Sequence, residues 1–437
     1  MSTTPSSVSA PRPSPLASIE AAALERATKR QIDVRTAEGA AELRALVTDE
    51  ALAYGNDSGA AAHDDATQRL VERALRDLAG YGPLEPLLAD PDVWEIVVNG
   101  ADAIFVRRHS QPSTPHSELF LDADHLERTL VRLLDDAGGL GARRYDPTMG
   151  LQDATLADGS RIHIVHGDVA AERQPLVNIR KRTGLAVRSL EQLVACGSLS
   201  AHSAAFLAAV VAAGATCVIA GAPGSGKTTV LGCLAAALDP EMRVVVAEEV
   251  TELSIPLPNV ATMHTRTARP DRGAVELRDL VAGFLRMAPD VAIVGEVRDR
   301  EALALLLTLS SGITGFTTIH AASAVRALGR LRFLAQLADT RSELPMAALN
   351  ALIADSIDVV VYCERIAGRP QVSEIIAVEN QLTGPESPAL TTTPVFLREC
   401  GRLVWTKRVP ERLANRCTRR RDIDLARILT HQSGLDR

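Results

Sequence analysis

The sequence has few aromatic residues and no excess of positive charge. Phe, Trp and Tyr make up 3% of its 437 residues, and alanine and leucine carry most of the apolar content. Aromatic platforms that stack on unpaired bases are therefore not expected. The formal net charge is -7, so no overall basic character favours non-specific binding of nucleic acid or anionic lipid. We therefore expect no nucleic-acid partner.

Cysteine spacings that hold metals or act in redox exchange are also missing. No two of the six cysteines are separated by only two residues, which excludes zinc-finger and thioredoxin-like pairs. We interpret all six as buried free thiols in a reducing cytosol: Cys196, Cys217, Cys233, Cys363, Cys400 and Cys417.

Apolar segments of the kind that enter membranes are not predicted. The opening Met1–Ser18 is rich in Pro, Ser and Thr and lacks the apolar centre of a signal peptide. Residues 201–225 contain no Asp, Glu, Lys or Arg, but they are alanine-rich and interrupted by Gly214 and Gly221. This stretch therefore predicts a buried helix followed by a buried strand. We expect a cytosolic protein with no direct membrane insertion.

The first half of the chain predicts a leader and a small α+β domain. Residues 1–65 are interpreted as a disordered opening followed by weakly amphipathic helix, because the opening has too few apolar residues to order itself. Residues 66–190 predict the domain, with helices from Ala66 and over 125–135. Its predicted strands are 93–98, 104–106, 161–165 and 176–179.

The second half predicts an α/β fold. Over residues 191–383, apolar runs of strand length alternate with helical segments, and the runs are 216–220, 243–247, 291–294 and 316–319. This alternation predicts a mostly parallel sheet covered by helices on both faces. Residues 384–437 are interpreted as a carboxy-terminal extension of turns and short strands. Its basic run, Arg416–Arg421, is expected to be a solvated surface.

A glycine-rich loop joins the first of these strands to a helix. Its glycines permit positive φ angles and a close approach of backbone N–H groups to phosphate oxygens. Lys227 is predicted to reach the β- and γ-phosphates, and Thr228 to ligate Mg²⁺. The helix that follows directs its positive end at the phosphates. ATP and Mg²⁺ are therefore predicted, on Gly221, Ala222, Pro223, Gly224, Ser225, Gly226, Lys227, Thr228 and Thr229.

Acidic residues follow two of the later strands. Glu248 and Glu249 end one apolar run, and Glu296 ends the next. Carboxyl ends of parallel strands lie on the side of the sheet where ligands bind. A carboxylate there can hold Mg²⁺ through water, or orient and deprotonate the attacking water. We assign water activation to Glu248 and the Mg²⁺ contact to Glu296.

A histidine and several arginines complete the candidate set. His320 ends the fourth predicted strand, where it could sense the γ-phosphate. Most of the arginines around Glu296 are expected to be solvated or salt-bridged, namely Arg266, Arg269, Arg278, Arg286 and Arg298. One or two of them, with Arg266 and Arg278 as candidates, could act in trans as arginine fingers.

In their order, these motifs resemble those of the traffic ATPases of bacterial type II and type IV secretion systems, and most closely the CpaF/TadA branch, which powers tight-adherence pilus assembly. Val246-Ala-Glu-Glu-Val-Thr-Glu-Leu253 resembles the family's Asp box, residues 285–298 its Walker B segment and Thr317-Thr-Ile-His-Ala-Ala-Ser323 its His box. Its arginine region resembles residues 263–266 and 277–280. The likeness extends outside this core to 81–93, 97–100, 158–161, 179–181, 354–361 and 374–379.

The resemblance implies a hexameric ring in which a RecA-like P-loop domain follows the smaller α+β domain. ATP would bind in the cleft between the two domains, and Arg161 and Arg180 would reach it from the first. Such ATPases sit at the cytosolic face of an inner-membrane platform and couple hydrolysis to the insertion or extraction of pilin. The implied partners are further copies of this chain and a platform protein, which would give a peripheral location through protein contacts.

Four positions depart from the family pattern and bear on rate and coupling more than on nucleotide binding. They are Glu249 for aspartate, Ala288 for arginine, Ile313 for the first His-box histidine and Ala322 for asparagine. Three other interpretations stay open: a type IV secretion or conjugation ATPase, a RecA-like nucleic-acid translocase, and a nucleotide-binding scaffold without turnover. Neighbouring genes, stimulation by DNA and steady-state hydrolysis, respectively, would distinguish them.

Overall fold

A computed structural model gives the fold of most of the chain. It describes residues 14–58, 65–109, 111–137, 144–182, 187–266, 268, 272–338, 344–382 and 390–431. Three features of the sequence-based interpretation lie outside these ranges: the opening residues 1–13, Arg269 and the boundary at 383/384. The chain divides into two compact units, Met1–Thr183 and Gly184–Arg437.

The first unit begins with three helices, α1 (Pro15–Lys29), α2 (Ala37–Ser58) and α3 (Asp65–Ala79). Ser14 caps α1 by accepting a hydrogen bond from Ala17 N at 3.2 Å. Apolar side chains at helical spacing, such as Ile19, Leu46 and Val71, pack the three helices into a small core of their own. The helical part of the predicted leader therefore packs against α3.

A six-stranded antiparallel sheet follows in the same unit. Its strands are β1 (Val93–Asn99), β2 (Ile104–Arg108), β3 (Thr114–Pro115), β4 (Leu151–Thr155), β5 (Arg161–Val165) and β6 (Leu176–Arg180), in the spatial order β3-β2-β1-β6-β5-β4. Helix α4 (Glu85–Ala89) precedes the sheet in the chain, and α5 (Ala123–Asp136) contributes Leu126 and Leu130 to the core on its buried face. Short 3₁₀ segments span Gly82–Leu84 and Pro147–Met149. The predicted strands and helices of residues 66–190 are confirmed, and α4, β3 and β4 were not predicted.

The second unit contains a nine-stranded sheet. Its strands are β7 (Cys217–Gly221), β8 (Val244–Glu248), β9 (Val260–His264), β10 (Val291–Val297), β11 (Thr314–Ile319), β12 (Val359–Ile366), β13 (Arg369–Leu382), β14 (Leu390–Glu399) and β15 (Arg402–Trp405). They follow the order β15-β14-β13-β12-β7-β11-β10-β8-β9. From β12 to β9 neighbouring strands are parallel, and from β12 to β15 they are antiparallel.

Helices cover both faces of this sheet, as predicted for an α/β fold. They are α6 (Leu190–Ala195), α7 (Ala201–Ala212), α8 (Lys227–Ala236), α9 (Leu277–Ala282), α10 (Glu301–Ser310), α11 (Ala324–Ala338), α12 (Met346–Ser356), α13 (Glu411–Arg421) and α14 (Leu425–His431), with a 3₁₀ segment at Phe284–Met287. Successive strand residues point to opposite faces. Val246 packs with the α7 and α8 side chains, whereas Val245 packs with those of α10 and α11.

The alanine-rich stretch 201–225 forms the predicted buried helix and buried strand, α7 and β7. All five residues of β7 are buried, as are most residues of α7. None of the helices in the described part of the chain is both long and apolar enough to cross a bilayer.

The carboxy-terminal strands and helices belong to the same unit as the parallel strands, and the prediction of turns and short strands alone is wrong for α13 and α14. Strands β14 and β15 extend the nine-stranded sheet, and α13 lies against the opposite end of β7 from the glycine loop. The prediction of a solvated basic run is wrong for Arg416, whose Nη1 lies 2.6 Å from Oδ2 of the buried Asp358. Burial raises the pKa of Asp358, so the carboxylate needs the neighbouring guanidinium groups of Arg416 and Arg412 to stay ionised.

Candidate active site

The glycine loop lies between β7 and α8 and has the predicted backbone geometry. Gly221, Gly224 and Gly226 have φ angles of 155°, 69° and 90°. Gly221 is also constrained by space, because a Cβ there would lie 2.2 Å from Cys363 O and 2.4 Å from Ser225 Oγ. A side chain at this position would therefore displace the neighbouring strand or the loop itself.

Lys227 is the first residue of α8 and is buried at 7% exposure. Its Nζ donates to Ala222 O at 3.0 Å and lies 3.2 Å from Nδ1 of His320. Thr228 and Thr229 follow in the first helical turn and are half-buried. The amino end of α8, the lysine and the loop amides thus face one small region, which suits a polyphosphate.

Ser225 adds a polar atom within the same loop. Its Oγ is buried and has no hydrogen-bond partner among the residues that the structure describes. A buried hydroxyl without a partner costs free energy on the order of 1–3 kcal/mol. The loop therefore fits a ligand that brings hydrogen-bond acceptors, as the phosphates of ATP do.

The predicted strand-end residues meet beside this loop. Strands β8, β10, β11 and β7 are consecutive in the sheet, so their carboxyl ends share one edge. Glu248 ends β8, Glu296 lies one residue before the end of β10, and His320 follows β11. His320 Nε2 lies 2.9 Å from Glu296 Oε1. A continuous line of contacts therefore runs from Lys227 through His320 to Glu296.

Glu296 is held in its ionised form by two cationic or hydrogen-donating neighbours. Arg298 contacts both carboxylate oxygens, with Nε 2.8 Å from Oε1 and Nη2 3.0 Å from Oε2. Burial by itself would raise the pKa of Glu296, but the hydrogen bonds from His320 and Arg298 outweigh it and lower the pKa to about 2. Nδ1 of His320 lies 3.2 Å from both Lys227 Nζ and Gly221 O, so the ring joins the glycine loop to the Glu296 carboxylate.

Glu248 and Glu249 have different surroundings. Glu248 is 3% exposed, and its Oε1 accepts hydrogen bonds from Glu252 N and Leu253 N, both at 3.1 Å. Its Cγ packs against Gly295, where an added Cβ would lie 2.9 Å away. Glu249 is exposed, and its Oε2 lies 2.7 Å from Arg298 Nη1. Glu248 is thus fixed beside the Glu296 strand, whereas Glu249 is tied to Glu296 through Arg298.

Magnesium fits the donor set at this edge of the sheet. The Thr228 hydroxyl and the Glu296 carboxylate are hard oxygen donors, and Mg²⁺ is usually held by one or two protein oxygens together with phosphates and water. No group of three or more His, Cys, Asp or Glu side chains that could hold a metal ion occurs within the described ranges.

The predicted arginines lie in several places. Arg266 is exposed and donates to Gly273 O at 3.2 Å, and Arg278 is exposed and pairs with Glu276 at 3.1 Å. Arg286 is also exposed. Arg161 and Arg180 belong to the first unit, where they are directly opposite each other on the neighbouring strands β5 and β6.

Two arginines at the site were not assigned a role from the sequence. Arg298 bridges Glu249 and Glu296, and the signal for this contact was present, since residues two apart at a strand end point to the same side. Arg365 donates from Nη1 to Gly224 O of the loop at 2.9 Å. The two residues are 141 positions apart in the chain, and no local pattern marks the contact.

Comparison of the sequence with known proteins assigns the chain to a family. A family model described as Type II/IV secretion system protein matches residues 77–386. A putative conjugal transfer protein of Mycobacterium tuberculosis is 32% identical over 322 residues, which are 70% of this chain and 87% of the relative. The type IV secretion system protein PtlH of Bordetella pertussis is 38% identical over 168 residues, which are 38% of this chain and 49% of the relative.

Among solved structures, the VirB11 ATPase from the Brucella suis type IV secretion system, in complex with sulphate, aligns with 67% of this chain and 94% of its own, at 25% identity and a TM-score of 0.35. The chain spans about half the length of some curated relatives that it matches, 49% for PtlH and 46% for another. The family match nevertheless covers more than half of the present chain and includes the whole glycine loop. The protein therefore belongs to the type II/IV secretion system protein family.

Proposed function

We propose that the protein binds Mg²⁺ and ATP on Gly221–Thr229 and couples ATP hydrolysis to pilus assembly or protein secretion. The observation that carries the proposal is the line of contacts from Lys227 through His320 to Glu296, at the edge of a parallel sheet. A loop that only turned the chain would need neither a buried lysine nor an ionised carboxylate beside it. Membership of the type II/IV secretion system protein family supports a coupling of hydrolysis to secretion or pilus assembly.

Each of these residues has a defined chemical task in the proposal. Lys227 neutralises charge on the β- and γ-phosphates, and the Thr228 hydroxyl takes part in holding Mg²⁺. Glu296, ionised at neutral pH, holds the metal's water. Glu248 orients the attacking water and accepts its proton. His320 touches both Lys227 and Glu296, so a change at the γ-phosphate would reach it directly.

Arg161 and Arg180 are proposed to contact the nucleotide from the first unit. They are cross-strand partners on β5 and β6, and like charges directly opposite each other destabilise a sheet. The pairing puts two guanidinium groups on neighbouring strands, and the resemblance of residues 158–161 and 179–181 to the family's motifs supports a role in phosphate binding.

A shared site in a hexameric ring is the next element of the proposal. Arg266 and Arg278 are exposed, so they are available to complete the site of a neighbouring copy. The CpaF/TadA-like motifs favour a tight-adherence pilus and an inner-membrane platform protein as partner, with the enzyme peripheral at the cytoplasmic face. A conjugation ATPase is the second candidate, because one relative carries the name of a putative conjugal transfer protein.

Steady-state hydrolysis with variants tests this proposal. Lys227→Ala should lose nucleotide binding and turnover together, by at least about a hundredfold, because the charge acts in both ground and transition states. If Arg266 or Arg278 acts in trans, Arg→Ala subunits mixed with Lys227→Ala subunits should recover part of the activity. Wild-type hydrolysis by Lys227→Ala would overturn the enzyme assignment, and activity linear in protein concentration without recovery would overturn the shared site.

A further inference from the structure

The end of β12 and the beginning of β13 form a hairpin behind the glycine loop. Each of the three loop glycines faces this hairpin. Gly221 pairs with Cys363 in the sheet, Gly224 accepts a hydrogen bond from Arg365, and a Cβ on Gly226 would lie 3.0 Å from Pro370 Cβ. The loop is thus supported along its length by residues 363–370, hereafter the loop-backing hairpin.

Arg365 makes the polar contact in this support. Its Nη1 donates to Gly224 O at 2.9 Å, and its Nη2 donates to Gly368 O within the hairpin itself. The guanidinium group is half-buried and planar, so two donors at a fixed angle join two backbone segments. Lysine could not reproduce both contacts with the same geometry.

The direction of the Gly224 carbonyl controls a donor on the other side of the same peptide. In a planar trans peptide the C=O and the following N–H point in opposite directions. Ser225 N donates to Ala222 O at 3.3 Å, and Lys227 Nζ donates to the same carbonyl at 3.0 Å. By fixing the Gly224 carbonyl, Arg365 therefore also fixes the direction of the Ser225 N–H. This N–H and Lys227 Nζ both point to Ala222 O, on the side of the loop where phosphate oxygens would compete for the two donors.

We propose that Arg365 is a positioning residue that sets the nucleotide affinity of the glycine loop by holding the Gly224 carbonyl turned toward the loop-backing hairpin. The proposal rests on nucleotide binding by this loop. Arg365 donates to backbone carbonyls of the loop and of the hairpin, so its removal should weaken binding without slowing the chemical step. Its positive charge adds a favourable field for polyphosphate at the same place.

Equilibrium binding of N-methylanthraniloyl-ADP, followed by fluorescence, together with ATP hydrolysis kinetics, tests this role. Arg365→Gln loses the charge and one branch of the fork, so the Kd for the ADP analogue and the KM for ATP should both rise about tenfold. The kcat should stay within about twofold of wild type. Arg365→Lys keeps the charge but not the fork and should give an intermediate Kd, about threefold above wild type. The matched control is Arg369→Gln, an exposed arginine of the same hairpin, which should bind like wild type.

Several results would overturn the assignment. One is an unchanged Kd in a folded Arg365→Gln protein, and another is a fall in kcat at constant Kd, which would make Arg365 part of the chemistry instead. If Arg365→Gln does not fold, Arg365→Lys decides, and wild-type affinity in that variant overturns the proposal. Failure of wild-type protein to bind the analogue would instead overturn the proposed function, so the two failures are distinguishable.

Discussion

The two units contain sheets with different sequence patterns, and each pattern decides where charged residues can lie. In β8 of the second unit all five residues are buried, because helices cover both faces of the parallel sheet. Charge is then tolerated only at the strand ends, where Glu248 and Glu296 lie. In β5 of the first unit, Ile162 and Ile164 are buried while Arg161 and His163 point to the other face. Functional charge is therefore expected at an edge in one sheet and on a face in the other.

Two glutamates extend the comparison to electrostatics. Glu296 in the second unit is ionised, since His320 and Arg298 overcome the effect of burial and lower its pKa to about 2. Glu20 on α1 of the first unit has the opposite shift, because burial and a hydrogen bond with Asp77 raise its pKa to about 9. Hydrogen bonds from His320 and Arg298 therefore keep one buried carboxylate charged, whereas burial and a carboxylate neighbour keep the other carboxyl group neutral.

The largest effect is expected at the edge of the parallel sheet. Glu248→Gln removes the proposed base without changing its size, and a base acts mainly in the transition state. We expect kcat to fall by about two to four orders of magnitude with little change in nucleotide affinity. Steady-state hydrolysis and equilibrium binding of a fluorescent ADP analogue measure the two effects separately.

The neighbouring carboxylates are the controls for that change. Glu249→Gln loses the 2.7 Å contact with Arg298 and should lower kcat much less, whereas Glu296→Gln should alter the magnesium dependence. If Glu248→Gln hydrolyses ATP normally and Glu249→Gln does not, the water-activating carboxylate lies one residue later than proposed.

Much of this edge could be predicted from the sequence, because its signals are local. The strand-loop-helix order around Gly221 fixes the direction of Lys227, and apolar runs that end in an acidic residue mark the carboxyl ends of strands. Parallel strands share one such edge, and the structure places Glu296 Oε1 and His320 Nε2 there, 2.9 Å apart. The α/β fold with helices on both faces followed from the same alternation.

The parts that were missed depend on contacts between distant residues. Asp358 binds Arg416 across 58 positions and Arg365 binds the loop across 141, and neither contact leaves a periodic trace. A run of arginines is usually solvated, so the prediction for Arg416 failed because a buried carboxylate competed with water for it. Strand β9 was missed because its burial is only partial, with no residue of Val260–His264 fully buried.

The next largest effect on hydrolysis is expected on the solvent-facing side of the antiparallel sheet. Arg180→Gln removes one of two cations that are cross-strand neighbours, so stability should change by less than about 0.5 kcal/mol. If Arg180 contacts phosphate, kcat/KM should fall by about tenfold to a hundredfold. ATP hydrolysis and urea unfolding of the same protein measure the two quantities.

Arg107 provides the matched control in the same cross-strand row. It pairs with Glu95 at 2.7 Å, and Glu95 is the register partner of both Arg107 and Arg180. Arg107→Gln should leave hydrolysis within about twofold of wild type, because its partner is a carboxylate of the sheet itself. Equal losses of hydrolysis in Arg107→Gln and Arg180→Gln would mean that these arginines stabilise the sheet and that Arg180 does not contact phosphate.

An effect on stability alone is expected in the helical core of the first unit. Below pH 4.5 Glu20 is protonated in both folded and unfolded chains; between pH 4.5 and 9 only the folded chain keeps the proton. The folded state then binds more protons, so the stability associated with Glu20 is lost as pH rises through this window, by at most about 1.4 kcal/mol per pH unit. Glu20→Gln still donates to Asp77 but does not titrate, so its advantage over wild type should grow from pH 5 to 9.

The pH dependence of stability can be measured for the first unit alone. The chain has two tryptophans, Trp94 in the first unit and Trp405 in the second, so urea unfolding of a Trp405→Phe background reports the first unit alone. Glu25→Gln is the control, an exposed glutamate of the same helix whose pKa is lowered by Lys29. Parallel pH profiles of Glu20→Gln and wild type would contradict a neutral Glu20.

The smallest effect is expected at a turn of the second sheet. Cys400 and Gly401 connect β14 and β15 as a two-residue turn, with φ angles of 47° and 82°. Two positive φ angles define a type I′ turn, which favours Asn-Gly, and a β-carbon at the first position is strained. The prediction of six buried thiols is wrong for Cys196 and Cys400, which are both exposed. Cys400→Asn therefore sacrifices no packing and should raise the free energy of unfolding by about 0.5–1 kcal/mol. Cys400→Ala removes the thiol but keeps an ordinary β-carbon, and it should give no gain. Urea unfolding followed by Trp405 fluorescence compares the two, and equal stability would assign any effect to the thiol instead of the turn.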